Sequence, residues 1–198
     1  MPPPASNVWT LVARQPEASR LALPVVQFRW LGDRYSHWLG WQWEDTCHPL
    51  LTSCEGTPDH HWPTSPPCQE LQEHEGPAGV DALLGVGRAG KSHWSVVVGA
   101  QGQEGELCFD LACKIIGEPT QIGSTYAYAP GLRVTQVSEH AVQLTDGPWQ
   151  MRLQTQPVAD TLAAKIVCHA NRLEILPSRV DRDVCRWWYQ AGAVQPAG

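Results

Sequence analysis

Between residues 47 and 68 the chain places six side chains able to bind a transition metal: Cys47, His48, Cys54, His60, His61 and Cys68. Structural zinc takes thiolate and imidazole ligands in a tetrahedron, commonly delivered as close pairs. Cys54, His60, His61 and Cys68 form the best candidate set, and zinc held there would suit a metal-assisted hydrolase. The spacing argues against it. Cys47–His48 and His60–His61 are adjacent pairs, whose side chains tend to diverge, and the thiols are separated by six residues or more. Unrelated surface histidines and buried thiols are the simpler expectation, so no cofactor is assigned. Ser92-His93 with Asp59, His60 and His61 offers the residue types of a Ser–His–Asp triad. Sequence neighbours rarely point at one another, however, and such triads are defined by geometry. There is no G-x-S-x-G elbow, and no two carboxylates stand out as a pair for glycoside hydrolysis.

Residues 85–92, Gly-Val-Gly-Arg-Ala-Gly-Lys-Ser, match the phosphate-loop pattern G-x-x-x-x-G-K-[ST]. In a working loop the chain then enters a helix, whose first amides face the phosphates while the lysine reaches them. Here the next residues, His-Trp-Ser-Val-Val-Val-Gly at 93–99, are aromatic and β-branched and read as a strand. Leu107-Cys-Phe-Asp110 imitates the apolar run that ends in a magnesium-binding aspartate. Too few residues precede it for a crossover helix and return, which need roughly a dozen or more. A glycine-permitted turn between two antiparallel strands is expected, with nucleotide binding the least favoured function.

Ten tryptophans against two phenylalanines is an unusual choice of aromatic. An indole combines a large apolar body with one N–H that wants an acceptor, so it serves cores, interfaces and sugar-stacking platforms alike. Trp41, Trp43, Trp62 and Trp94 are the candidate ligand-binding residues. A surface or groove built on them would take a small molecule, a carbohydrate or a protein partner, a second copy included. The competing expectation is a core role for the same rings.

The elements that must position these residues are strands. Val26, Phe28 and Trp30 alternate with Gln27 and Arg29; His37, Leu39, Trp41 and Trp43 alternate with Trp38 and Gln42. The cleanest case is 106–115, where Leu107, Phe109, Leu111, Cys113 and Ile115 share one face. Further strands are expected over 132–137, 140–144, 149–154, 165–169, 172–176 and 184–191, with turns at 145–148 and 170–171. The stretch 46–67, with five prolines, reads as an irregular but ordered loop or an edge. Residues 69–75 fit a short strand or one helical turn, 100–105 a hairpin turn, and 157–164 a short helix. Many short strands with frequent turns predict an all-β, mainly antiparallel sandwich or barrel. Residues 8–191 form its single domain, with 1–7 as a flexible leader and 192–198 as a flexible tail.

At 198 residues the chain is long enough to bury a sizeable core. A net charge of −6 and pI of about 5.7 give no electrostatic footprint for nucleic acid or an anionic membrane. No run approaches the ~20 apolar residues of a membrane-crossing helix, and the N-terminus lacks the apolar centre of a signal peptide. Seven cysteines without a regular framework read as reduced thiols in a cytoplasmic protein.

The blocks WPTSPPCQE and AGKSHWSVVV, with STYAY beyond them, resemble an uncharacterised family of bacterial β-rich proteins over roughly residues 25–130. The resemblance implies a single globular domain and a structural reason for Lys91, and it carries no activity. The expected function is non-catalytic binding or assembly through the tryptophan-rich surface.

Overall fold

Period-two alternation, with β-branched and aromatic residues on one face, is realised almost throughout the chain. A computed structural model describes residues 7–14, 22–76, 79–100, 105–157, 162–180 and 183–196. The strands are β1 (Val8–Val12), β2 (Leu23–Trp30), β3 (Tyr35–Trp43), β4 (Thr46–Ser53) and β5 (Glu70–Gly76). Then come β6 (Gly79–Ala89), β7 (Ser92–Gly99), β8 (Leu107–Lys114), β9 (Ser124–Tyr128) and β10 (Arg133–Ser138). The last are β11 (Ala141–Asp146), β12 (Trp149–Thr155), β13 (Lys165–Cys168), β14 (Arg172–Leu176) and β15 (Val184–Pro196). No helix among the described residues is long and apolar enough to cross a membrane.

The strands form two antiparallel sheets packed face to face as a sandwich. The first has the order β1-β2-β3-β4-β9-β14-β13, the second β10-β11-β12-β15-β8-β7-β6-β5. The expected face of 106–115 is the inner face of β8: Leu107, Phe109, Leu111, Cys113 and Ile115 are all buried. Phe28, His37 and Leu39 are buried on the first sheet, where His37 meets Phe109 of β8, and each alternates with more exposed neighbours as the sequence predicts. Within the second sheet β15 is central, hydrogen-bonded to β12 on one side and β8 on the other. The outer edge β5 carries Glu70, Glu73 and Glu75, charges that discourage pairing with another chain.

Two expectations need correction. The stretch 46–67 is not irregular throughout, because residues 46–53 are β4, a strand between β3 and β9. Pro49 enters it through a bulge. Leu39 pairs with Leu51 but Gly40 with Pro49, so Leu50 is the extra residue that lets the ladder absorb a proline. Gly40 is required there: a Cβ on it would lie 2.0 Å from the His48 carbonyl oxygen. The closing strand, expected to end at Ala191, continues to Pro196 and pairs with β12 up to Trp149. The strand or helical turn expected over 69–75 is the strand Glu70–Gly76. Most of the turn expected at 100–105 lies outside the described residues, as do positions 158–161 of the expected short helix and nearly all of the leader.

The phosphate-loop stretch is the hairpin turn of β6 and β7. Ala89 pairs with Ser92 across Gly90-Lys91, and Gly90 has φ of +57°. A positive φ at the first turn position alone matches a type II′ turn, whose twist suits the flanking strands. The other glycines answer to packing. A Cβ on Gly85 would sit 2.5 Å from Cys68 Sγ, and one on Gly87 only 1.6 Å from the Pro67 carbonyl oxygen. The chain at 67–69 therefore lies directly on the β6 backbone. Gly87→Ala is expected to cost about 3 kcal/mol or more, or to prevent folding, because backbone rather than a mobile side chain must move. Val86→Ala, at a half-exposed neighbouring position, should stay within about 0.5 kcal/mol. Urea denaturation of the two variants checks the contrast.

Candidate functional site

From Cys54 to Gln69 the chain leaves the sheets but remains anchored at each step. Cys54 N–H donates to the Thr125 carbonyl (2.8 Å), and Thr64 Oγ1 donates to the Cys54 carbonyl (2.6 Å). Buried Ser65 donates to the Thr125 carbonyl and accepts from the Thr125 N–H. Farther on, Tyr35 N–H donates to the Cys68 carbonyl and Gln69 N–H to the Val86 carbonyl. The Gln69 amide also donates to the Arg88 carbonyl and accepts from the Arg88 N–H. This segment thus spans from β9 of the first sheet to β6 of the second. Prolines suit such a path, since their missing N–H leaves no donor to satisfy.

The candidate metal ligands separate along it. Cys68 is buried against Gly85, where desolvation pushes its thiol far up, away from the thiolate form that binds metal. Cys54 is half-buried and likewise raised, chiefly by burial. His60 is exposed and turned back on its own loop, its Nδ1 accepting the Thr57 N–H at 3.2 Å. His61 is exposed and would touch a Cβ on Gly90 at 3.2 Å. Among the described residues no group of three or more His, Cys, Asp or Glu side chains is placed to hold a metal ion. Ser92 is buried and its Oγ accepts the Ile116 N–H at 3.0 Å, while His93 points to the opposite, exposed face.

The four candidate tryptophans occupy three places. Trp41 is buried, stacked on His48 with centroids 3.8 Å apart, and it and Trp43 both meet Trp149 at 5.5 and 5.3 Å. Trp149 is not singled out by sequence as a site residue, although its alternation with Met151 and Leu153 already puts it on the inner face. Trp94 is buried edge-on against Trp187, 6.2 Å away. Of the four, only Trp62 combines partial burial against the core with a place in the wall of a cleft.

That cleft, about 490 Å³, is formed by His61 and Trp62, the β6–β7 turn with Lys91, and the segment after β8 with Glu118. A second hollow of about 620 Å³ adjoins it, sharing His61 and Gly90 and adding Asp59, Gln69 and Arg88. A third, about 510 Å³, continues from Gln69 and Arg88 onto the outer face of the second sheet. The three hollows thus lie side by side around the hairpin tip. His61 and Trp62 are candidates by residue type, whereas Lys91, Arg88 and Glu118 come from other stretches that only the fold brings beside them.

A buried polar chain joins the sheets. His37 lies between Phe28 and Phe109, and its Nε2 bonds the Tyr126 hydroxyl at 2.7 Å, which bonds that of Tyr189 at 2.5 Å. Burial lowers His37 to about 3, so the imidazole is neutral. Its backbone N–H donates to Ser53 Oγ, which donates to Glu55 Oε1 at 2.6 Å. Desolvation raises Glu55 to about 7, against the pull of Ser53 and Arg34. Arg34 Nη1 and Glu55 Oε2 are both buried without a hydrogen-bond partner among the described residues.

The two groups respond oppositely to pH. The unfolded chain takes up a proton at His37 below about 6.5 that the fold refuses, so that stability falls as pH drops from 6.5 toward 3. Glu55 holds its proton up to about 7 when folded but only to 4.5 when unfolded, so its contribution is full below 4.5 and is lost as pH rises through 7. Glu55→Gln should remove the second limb. Relative to wild type it is expected to gain roughly 1–3 kcal/mol between pH 5 and pH 8. Denaturant unfolding at both values tests this, and parallel profiles would refute it. Compared with protein-family models, curated proteins and solved structures, the chain matches none.

Proposed function

We propose that the chain is a non-catalytic binding module whose ligand is a carbohydrate seated in the Trp62 cleft. The observation that carries this reading is the half-buried Trp62 ring in a cleft that also presents His61, Lys91 and Glu118. An indole face is a platform for the C–H face of a sugar ring, and a few polar groups around an apolar floor orient a ligand. Lys91 offers three donors and Glu118 acceptors, which suits hydroxyls that both donate and accept. Lys91 makes no hydrogen bond or ion pair among the described residues, so its donors are available. The carbohydrate class rests on this pairing of ring and mixed-charge rim.

We also infer a reducing compartment such as the cytoplasm. The seven cysteines are spread through the chain without the regular framework of a disulfide-dependent secreted domain. Burial raises Cys113 to about 12, which makes it a poor nucleophile for exchange.

Titration of the full chain with a panel of neutral oligosaccharides, followed by tryptophan fluorescence, tests the binding site. At least one should bind, and Trp62→Ala should weaken it tenfold or more while Trp43→Ala does not. Glu118→Gln, a surface change that leaves the ring in place, should also weaken it severalfold. Binding by Trp62→Ala equal to wild type, or no binding by any sugar, would sink the reading.

A further inference from the structure

The outer face of the second sheet carries a cross-strand row of nitrogen side chains. Arg88 on β6 pairs with His93 on β7, which pairs with Lys114 on β8, which pairs with Val184 on β15. The next row along the strands is Val86, Ser95, Ala112 and Arg186. Apart from Arg186, these rows line the open hollow of about 510 Å³. Arg88 and Lys114 stand two strands apart, about 10 Å between backbones, with His93 between them. Neither forms an ion pair among the described residues. Arg186 differs: its guanidinium clasps the Asp110 carboxylate through Nε and Nη2.

Two cations without an ion-pair partner thus share one sheet face, on strands either side of β7, in a chain that as a whole carries −6. Arg88 Nε is held by the Gly90 carbonyl at 3.0 Å, which fixes the guanidinium plane. The floor is open, with Val86 50% and Val184 53% exposed and the small side chains of Ser95 and Ala112 between them. Glu70, the carboxylate in the lining, pairs with Val86 from the β5 side, at the far end from Lys114.

We propose that this hollow is a binding site for a carboxylate joined to a compact apolar body. The carboxylate sits over the Arg88–His93–Lys114 row, where charge-assisted hydrogen bonds are shorter and stronger than neutral ones. The apolar body covers Val86, Ala112 and Val184 and removes their surface from water. Glu70 keeps a second anionic group out of the far end. The site adjoins the Trp62 cleft but does not depend on it.

Calorimetric titration of the full chain with octanoate, octanol and inorganic phosphate separates the contributions. Octanoate should bind at least tenfold more tightly than either of the others. The double variant Arg88→Ala/Lys114→Ala, both exposed and outside the core, should lose octanoate tenfold or more with an unchanged melting temperature. Trp62→Ala should bind octanoate as wild type does, so that this result stands or falls apart from sugar binding. Equal binding of octanol would mean an apolar patch alone, and equal binding of phosphate a bare anion seat. Either outcome, no octanoate binding, or retention by the double variant overturns the proposal.

Discussion

The structure depends on one close approach, the Pro67 carbonyl against the backbone of β6 at Gly87. No side chain can intervene there, so the segment 54–69 is pinned to the second sheet at the same point where Gln69 hydrogen-bonds Arg88 on both its N–H and C=O. Its other end is tied to β9 through Ser65 and Cys54. The segment is thus a strap between sheets, and the Trp62 cleft lies between strap and hairpin. Glycines that imitate a phosphate loop are there to let two backbones touch.

The interior couples to that strap. Ser53, at the end of β4, holds both the His37 backbone and the Glu55 carboxylate. A neutral imidazole stacked between phenyl rings is a sound core residue as long as its hydroxyl partner remains; Tyr126 supplies it, held in turn by Tyr189 from the opposite sheet. Buried polar groups joined in this way specify how the sheets face each other more sharply than apolar contact alone.

Most strands are legible in the sequence because one face is buried and period two is then imposed residue by residue, as in Leu107 to Ile115. β4 is hidden because Pro49 breaks the local pattern, and its remedy, the bulge opposite Gly40, lies on another strand. The sheet order is equally hidden: nothing local says that β9 pairs with β4 and β14, or that β15 enters between β8 and β12. Site residues obey the same rule. Trp62 is recognisable as a candidate from its type, whereas Arg88, Lys114 and Glu118 acquire meaning only from neighbours far away in sequence. Trp41 and Trp94 lie buried, as the alternation of their strands already implies.

The central place of β15 has a kinetic consequence. It is the last of the described strands along the chain, yet it separates β5–β8 from β10–β12 in the finished sheet. Until residues 184–196 arrive, the facing edges of β8 and β12 have no partner, and each half-sheet presents open backbone groups to its surroundings. Closing such distant pairs must precede the gain from burying the shared face, which makes for slow folding. A ribosome making this chain must therefore extrude it through residue 196 before the larger sheet can exist, and the vulnerable interval is the one before that final insertion.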